Sequence, residues 1–290
     1  MAGKLAGFFG PQDMTEGKPW MNFLEFAIPM LIGNLAQQLY NTADSIIVGR
    51  YVGDEALAAV GASFPLLNLL LVLFMGIATG AGVMVAQYFG AKQKELLSRT
   101  IGTAITLTLI SSLIIMVIGP LLTKPLMALL KTPADIYDMS CTYLIIVFVG
   151  IAGMAYYNIL SGLLRGLGDS FTPLVFLLIA CGLNIVLDIV FVASFGWGVA
   201  GVAWATIISQ FVSAILCLLR LMYLKDLVTI NAKMLKLKGD LVMQLVRLGL
   251  PAGLTQAIFS MAAIVVQSLT NSFGTVVIAC STVVMRVDGF

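Results

Sequence analysis

The sequence predicts an all-α integral membrane protein that crosses the bilayer several times, and its composition is the first reason. Of the 290 residues, 60% are hydrophobic and only 10% are charged, and the mean hydropathy is +1.04. Soluble domains carry about 25% charged residues, so this composition excludes that class. A chain this apolar cannot cover its surface with polar groups in water, whereas lipid accepts an apolar exterior.

Apolar runs long enough to cross a bilayer are the second reason. A membrane helix needs about 20 apolar residues. The runs lie at 23–49, 57–89, 99–122, 137–164, 172–195, 199–224 and 243–272, and an eighth begins near residue 275. Within the second run, Gly76 and Gly80 form a GxxxG step, which predicts close packing on a neighbouring helix.

The lysines and arginines predict the orientation of the chain. Most of them lie before the first run or in the connections that follow the second, fourth and sixth runs, which are on the same side of the membrane as the N-terminus. Arg50, Lys124 and Lys131 lie on the opposite side. Because basic residues favour the cytoplasmic side, the N-terminus is expected in the cytoplasm. Arg165 is assigned in this count to the connection between the fourth and fifth runs.

An internal repeat predicts two lobes. FAIPMLIGNLAQQ from Phe26 resembles LGLPAGLTQAIFS from Leu248, so that Pro29 aligns with Pro251. YVGDEALAAVGAS and SFGTVVIACSTVV form a second, later match. We expect a cytoplasmic N-terminal segment (1–21), a six-helix first lobe (22–224), a cytoplasmic linker (225–242) and an incomplete second lobe (243–290). The chain is therefore expected to be a fragment of a protein of about twelve spans.

Several functional classes are disfavoured by what the sequence lacks. It has no histidine, which removes imidazole catalysis and the usual zinc ligand. It has no GxxxxGK[ST] motif, so no phosphate-binding loop for ATP is expected. A net charge of +2 gives no general case for nucleic-acid binding. We expect no cofactor.

Polar residues inside the apolar runs predict a buried chamber. On the first run, Asn34, Gln37, Asn41 and Asp44 are spaced to share one helical face. The other runs add, in order, Asn158, Ser161, Asn184, Asp188 and Thr206. If these faces converge, the first six helices enclose a polar chamber.

The two carboxylates, Asp44 and Asp188, suggest what this chamber does. A carboxylate at the centre of a span costs at least about 2.5–3.5 kcal/mol, so it calls for a functional explanation. Without a basic partner it takes up a proton or holds a metal cation, and either event changes the local charge. Asparagine and threonine oxygens beside it are suitable ligands for Na⁺. Pro29, which removes a helix hydrogen bond, is a candidate hinge.

Four segments occur in the following order along the chain: NTADSIIVGRYVGDEALAAVG, GLLRGLGDSFTP, NIVLDIVF and GVAGVAWAT. Together they resemble the multidrug and toxic compound extrusion (MATE) family, DinF-like branch. The resemblance implies two six-helix lobes, alternating access, and export of small-molecule drugs or organic cations in exchange for H⁺ or Na⁺. It implies a monomer in a bacterial inner membrane. It matches Asp44, Asn184, Asp188 and Thr206 to the first-lobe cation site, with Na⁺ held at the first three residues, and Pro29 and Asn158 to a kinking proline and a helix-4 asparagine.

The resemblance is not complete. The helix-7 glutamate of NorM-like members has no counterpart near Phe259 and Ser260, and Gln38 stands where some first-lobe sites have a second acid. Other functions also stay open. A flippase for lipid-linked saccharides would favour basic residues in the chamber, and we expect none there. An intramembrane aspartyl protease would need the two carboxyl groups close together, whereas a scaffold would not need them at all.

Overall fold

The chain is folded into helices joined by short turns. The structure, a computed structural model, describes residues 10–11, 14, 17–225, 227–228, 231 and 234–288, and the described residues contain no strand. The helices are α1 (Pro19–Tyr51), α2 (Asp54–Gly90), α3 (Lys94–Leu129), α4 (Ala134–Val149), α5 (Ile151–Gly166), α6 (Phe171–Asp188), α7 (Gly198–Tyr223), α8 (Gly239–Asn271) and α9 (Thr275–Asp288), and a π-helical turn, Ile189–Ser194, follows α6. The all-α prediction is confirmed. Most of the predicted segment 1–21 lies outside the described residues.

Five of the described helices are long and apolar enough to cross a membrane: α2, α3, α6 with its π-helical turn, α7 and α8. The bent pair α4 and α5 makes a sixth candidate. With 33 residues, α1 is also long enough to cross a membrane, but it is not among the helices that are both long and apolar enough. The amides and the carboxylate between Asn34 and Asp44 reduce its apolar character, so α1 needs protein neighbours for its polar face.

The predicted run 137–164 is one span in sequence but two helices in the structure. The axes of α4 and α5 differ by 52°, and Gly150 lies between them. A Cβ atom at Gly150 would overlap the side chain of Ile207 in α7. The glycine therefore permits both the bend and the close approach of α7, which an apolar pattern alone does not reveal.

Helix α2 is at the centre of the packing. It contacts α3, α4, α5, α8 and α9, while α7 packs against α4, α5 and α6. Two clusters of buried apolar side chains lie along α2, one around Phe74 and Phe148 and the other around Met84 and Leu160. Helix α1 packs mainly against α6. This last contact positions the functional residues described below.

The crossing of α2 and α8 is made by glycines. A Cβ atom at Gly76 would lie 3.3 Å from the carbonyl oxygen of Gly249, and one at Gly80 would lie 3.0 Å from the Gly249 nitrogen. The backbones are therefore almost in contact, as small residues at a helix crossing allow. The sequence prediction that Gly76 and Gly80 permit close packing on a neighbour agrees with this arrangement, and the neighbour is α8.

Helices α1 and α8 share features that fit the predicted repeat. Both have 33 residues and an interior proline, Pro29 or Pro251. Each is followed by a glycine with positive φ immediately before the next helix, Gly53 at 114° and Gly274 at 91°. Helix α8 begins at Gly239, inside the predicted linker 225–242, because its first turn extends the helix beyond the apolar run. The division into lobes stays a prediction.

Asp169 connects the start of α6 to the end of α7. Its carboxylate accepts hydrogen bonds from the Thr172 backbone nitrogen (3.0 Å) and hydroxyl (2.7 Å), and Arg220 Nε lies 3.5 Å away. We expect Asp169→Ala to lower the melting temperature in detergent, since it removes two hydrogen bonds to a buried carboxylate, and hydrogen bonds to charged groups contribute about 1.5–3 kcal/mol each. The exposed Asp138→Ala is the control and should leave it unchanged. Equal melting temperatures for both variants would contradict a stabilising role of Asp169.

Candidate functional site

A polar cavity of about 240 Å³ lies between α1, α2, α4, α5 and α7. We call it the Asp44 cavity. Asp44 is 6% exposed and lies on its wall, as does Thr206 from α7. Its lining residues are Gln37, Tyr40, Asn41, Asp44, Val60, Phe64, Leu67, Asn68, Leu71, Tyr143, Met154, Tyr157, Asn158, Thr206 and Gln210. The cavity therefore combines amide, hydroxyl and carboxyl groups with an apolar remainder.

The two carboxylates singled out in the sequence come together in the fold. Helix α1 packs along α6, and this contact places the carboxyl groups of Asp44 and Asp188 near enough to each other for an electrostatic interaction. Asp188 is fully buried and is not among the residues that line the Asp44 cavity. Two like charges so placed repel each other, which favours binding of a cation between them.

Asn184 lies one helical turn before Asp188 and is also fully buried. Among the described residues, neither the Asn184 amide nor the Asp188 carboxylate has a hydrogen-bond partner. Buried polar groups without partners are rare, and each calls for an explanation. Asp188 is also the last residue of α6 before the π-helical turn Ile189–Ser194. Such turns are frequent at functional sites.

Two tyrosines complete this polar cluster. Tyr40 is 5% exposed and lies one turn before Asp44 on α1. Its hydroxyl is near Thr206, Asp44 and Asp188 but has no hydrogen-bond partner within 3.5 Å among the described residues. Tyr143 from α4 lies beside it and also lines the cavity. The cluster thus joins α1, α4, α6 and α7 through side chains that offer oxygen atoms.

The predicted lining residues have different positions. Gln37, Asn41 and Asn158 line the Asp44 cavity. Asn158 also donates a hydrogen bond to the Met154 carbonyl at 2.8 Å. Ser161 is fully buried and lines neither this cavity nor the two described next. Its hydroxyl instead donates to the Asn158 carbonyl and accepts a hydrogen bond from Arg165 Nη2 at 2.9 Å.

Two further cavities continue from the Asp44 cavity. The Pro29 cavity, about 250 Å³, shares Gln37, Tyr157 and Asn158 with it. The Phe26 cavity, about 370 Å³, shares Asn158 with both and is lined by α1, α2 and α5. Pro29 lines the second cavity within an unbroken α1, so its role as a hinge stays a prediction.

Arg165 corrects one expectation from the sequence. It was assigned to a connection, and the chamber was expected to lack basic residues. In the structure Arg165 belongs to the last turn of α5 and lines both the Pro29 and Phe26 cavities. The helix continues beyond the apolar run 137–164, which carries the arginine along the cavity wall.

Sequence reasoning missed Tyr40, Tyr143 and Asn68 as parts of the site. Tyr40 is spaced four residues from Asp44, the spacing of one helical face, and this signal was available. Asn68 interrupts an apolar run in α2, which is a weaker signal of the same kind. Tyr143 has no such signal, because its position depends on the packing of α4.

The polar cluster presents oxygen atoms of the kinds that small cations bind. Carboxylate, amide and hydroxyl oxygens suit Na⁺, and a carboxyl pair can also share a proton. Binding of either ion neutralises charge next to the cavity and so changes the interaction of Asp44 with a charged compound there. A set of apolar helices around a buried polar cluster and a ligand-sized cavity is typical of membrane transport proteins.

Comparison with known proteins identifies the family. Residues 29–190 match the family described as MatE, and the chain belongs to this family. It is 31% identical to "Probable multidrug resistance protein YoeA" of Bacillus subtilis (strain 168), over 96% of this chain and 62% of that protein. It is 25% identical to "Multidrug export protein MepA" of Staphylococcus aureus (strain NCTC 8325 / PS 47), over 92% of this chain and 59% of that protein.

A solved structure supports the same assignment. An inward-facing multidrug resistance MATE family transporter of the MOP superfamily matches with a TM-score of 0.81 and 29% identity, over 87% of this chain and 57% of that one. The chain thus spans about 60% of the length of its curated relatives. The relatives are named for drug resistance and export, not for enzymatic activity, and the chain is a multi-pass membrane protein.

Proposed function

We propose that the protein is a secondary active multidrug efflux antiporter, which exports cationic or amphiphilic compounds in exchange for H⁺ or Na⁺. The main support is the proximity of the buried Asp44 and Asp188 carboxyl groups beside a cavity that Asp44 itself lines. The names of the relatives, which are multidrug resistance and export proteins, support the substrate class.

The proposed mechanism is a competition for negative charge. With a cation bound at Asp44, Asn184, Asp188 and Thr206, the wall of the Asp44 cavity carries less negative charge and holds a cationic compound weakly. Loss of the cation restores the charge and favours the compound. Because binding of the two is mutually unfavourable, each displaces the other, which is the requirement for exchange. We place the site in the bacterial inner membrane, with the N-terminus in the cytoplasm and a monomer as the working unit.

Everted membrane vesicles test this proposal and identify the ion. The protein is expressed from its complete gene, the vesicles are energised, ethidium is added, and the pH gradient is followed with and without Na⁺. Partial collapse of the gradient on adding ethidium is expected for H⁺ exchange. Ethidium movement that requires Na⁺ and leaves the pH gradient intact would indicate Na⁺ exchange. No response linked to ethidium, from protein shown to be folded, would contradict the proposal.

The alternative is a flippase for lipid-linked saccharides, which belongs to the same superfamily. One observation favours it: Arg165 lines two cavities that continue from the Asp44 cavity. A polyanionic substrate would nevertheless call for several basic groups, and Arg165 is the one basic residue among the described lining residues of the three cavities. The single arginine therefore fits a singly charged group better.

A further inference from the structure

Arg165 is held in a fixed position at the junction of two cavities. Its Nε donates a hydrogen bond to the Ser161 carbonyl at 3.2 Å, and its Nη2 donates to the Ser161 hydroxyl at 2.9 Å. The side chain is half-buried and lines both the Pro29 and Phe26 cavities. Its guanidinium group is thus pre-oriented, with little side-chain freedom left to lose on binding a ligand.

The positive charge of Arg165 forms no salt bridge with the carboxylates that the structure describes. Among the residues that the structure describes, no carboxylate lies within 4.0 Å of its guanidinium group. Asp169, four residues later, is instead engaged by Thr172 and Arg220. A guanidinium group has five N–H donors, and Ser161 accepts from two of them. The remaining donors are available to a ligand, and their geometry suits a phosphate or a carboxylate.

The walls around Arg165 differ on its two sides. Met30 and Asn158 line both cavities, but only the Pro29 cavity has the amides of Asn34 and Gln37. The Phe26 cavity instead has apolar side chains of its own, among them Phe26 and Val83. A ligand that satisfies both sides has a polar head and an apolar body, and a combined space of this size is typical of ligand sites.

We propose that Arg165 is the anion-binding group of a second site, which takes amphiphiles with a single phosphate or carboxylate head. The head binds the guanidinium group and the neighbouring amides, and the apolar body lies in the Phe26 cavity. The same head chemistry occurs in membrane phospholipids and in free acidic amphiphiles. This site does not depend on the proposed efflux, because it is separate from Asp44 and Asp188 and needs no coupling ion.

Native mass spectrometry of the protein in a neutral maltoside detergent tests this site. The probes are dodecyl phosphate, as a free acidic amphiphile, and phosphatidylglycerol, as a lipid with one anionic phosphate, each compared with phosphatidylcholine. We expect one molecule of at least one anionic probe to be retained in preference to phosphatidylcholine. Retention of phosphatidylglycerol identifies a lipid head group as the ligand, and retention of dodecyl phosphate alone identifies a free amphiphile. Retention of neither would overturn the proposal.

Two pairs of variants assign the binding to Arg165. Arg165→Gln should weaken retention about tenfold or more, the size expected for lost hydrogen bonds to a charged group. The exposed Arg50→Gln should not change it. Met30 lines both cavities, so Met30→Glu should abolish retention by placing a negative charge beside Arg165, whereas Met30→Gln should preserve it. The Met30 pair decides the result if Arg165→Gln does not fold. Retention unchanged in both Arg165→Gln and Met30→Glu would refute the site, whatever the vesicle assay shows.

Discussion

Replacing either buried carboxylate should abolish exchange while leaving the protein in the membrane. We expect Asp44→Asn and Asp188→Asn each to reduce ethidium-dependent exchange in everted vesicles to the level of vesicles without the protein. Asparagine keeps the size of the side chain but removes its charge, so the cluster can no longer alternate between a cation-bound and a cation-free state. The measurement is the same vesicle assay, with membrane content checked by immunoblot.

The control for this experiment is Asp138→Asn, which changes an exposed carboxylate on α4 in the same way. It should keep wild-type exchange. Wild-type exchange in both single variants would rule out the proposed first-lobe mechanism.

The sequence predicted the helices well because lipid imposes a simple rule on them. An uninterrupted apolar run of sufficient length has few alternatives to a membrane helix, and the all-α class followed directly. The ends were less accurate, since polar residues can continue a helix beyond the bilayer core. Arg165 shows the consequence: the boundary drawn near residue 164 assigned it to a connection, whereas it is in the last turn of α5.

The candidate site was predictable in its parts but not in its arrangement. Asp44 and Asp188 stood out because a carboxylate in an apolar run is costly. Their proximity depends on the packing of α1 against α6, which no spacing in the sequence reveals. Tyr143 and the bend at Gly150 were missed for the same reason, because each depends on which helix is the neighbour.

At the glycine crossing of α2 and α8, close packing should reverse the usual effect of a glycine-to-alanine replacement on stability. In an exposed helix, replacing glycine by alanine stabilises by about 1 kcal/mol, because alanine has the higher helix propensity. At Gly249 the added Cβ atom would lie 2.8 Å from the Gly76 carbonyl carbon, and this neighbour is backbone and cannot rotate away. The two helices must therefore separate. We expect Gly249→Ala to destabilise by about 1–3 kcal/mol, the usual cost of overpacking.

Gly182 on α6 provides a matched control. It also lies inside a helix, but a Cβ atom there would meet nothing within 4 Å. We expect Gly182→Ala to keep or raise the melting temperature in detergent, whereas Gly249→Ala lowers it. Because both variants make the same chemical change in a helix, opposite signs can arise only from the neighbours. A melting temperature of Gly249→Ala at or above that of Gly182→Ala would mean that α2 and α8 do not approach each other this closely. Gly76, Gly80 and Gly249 would then serve some purpose other than close helix packing.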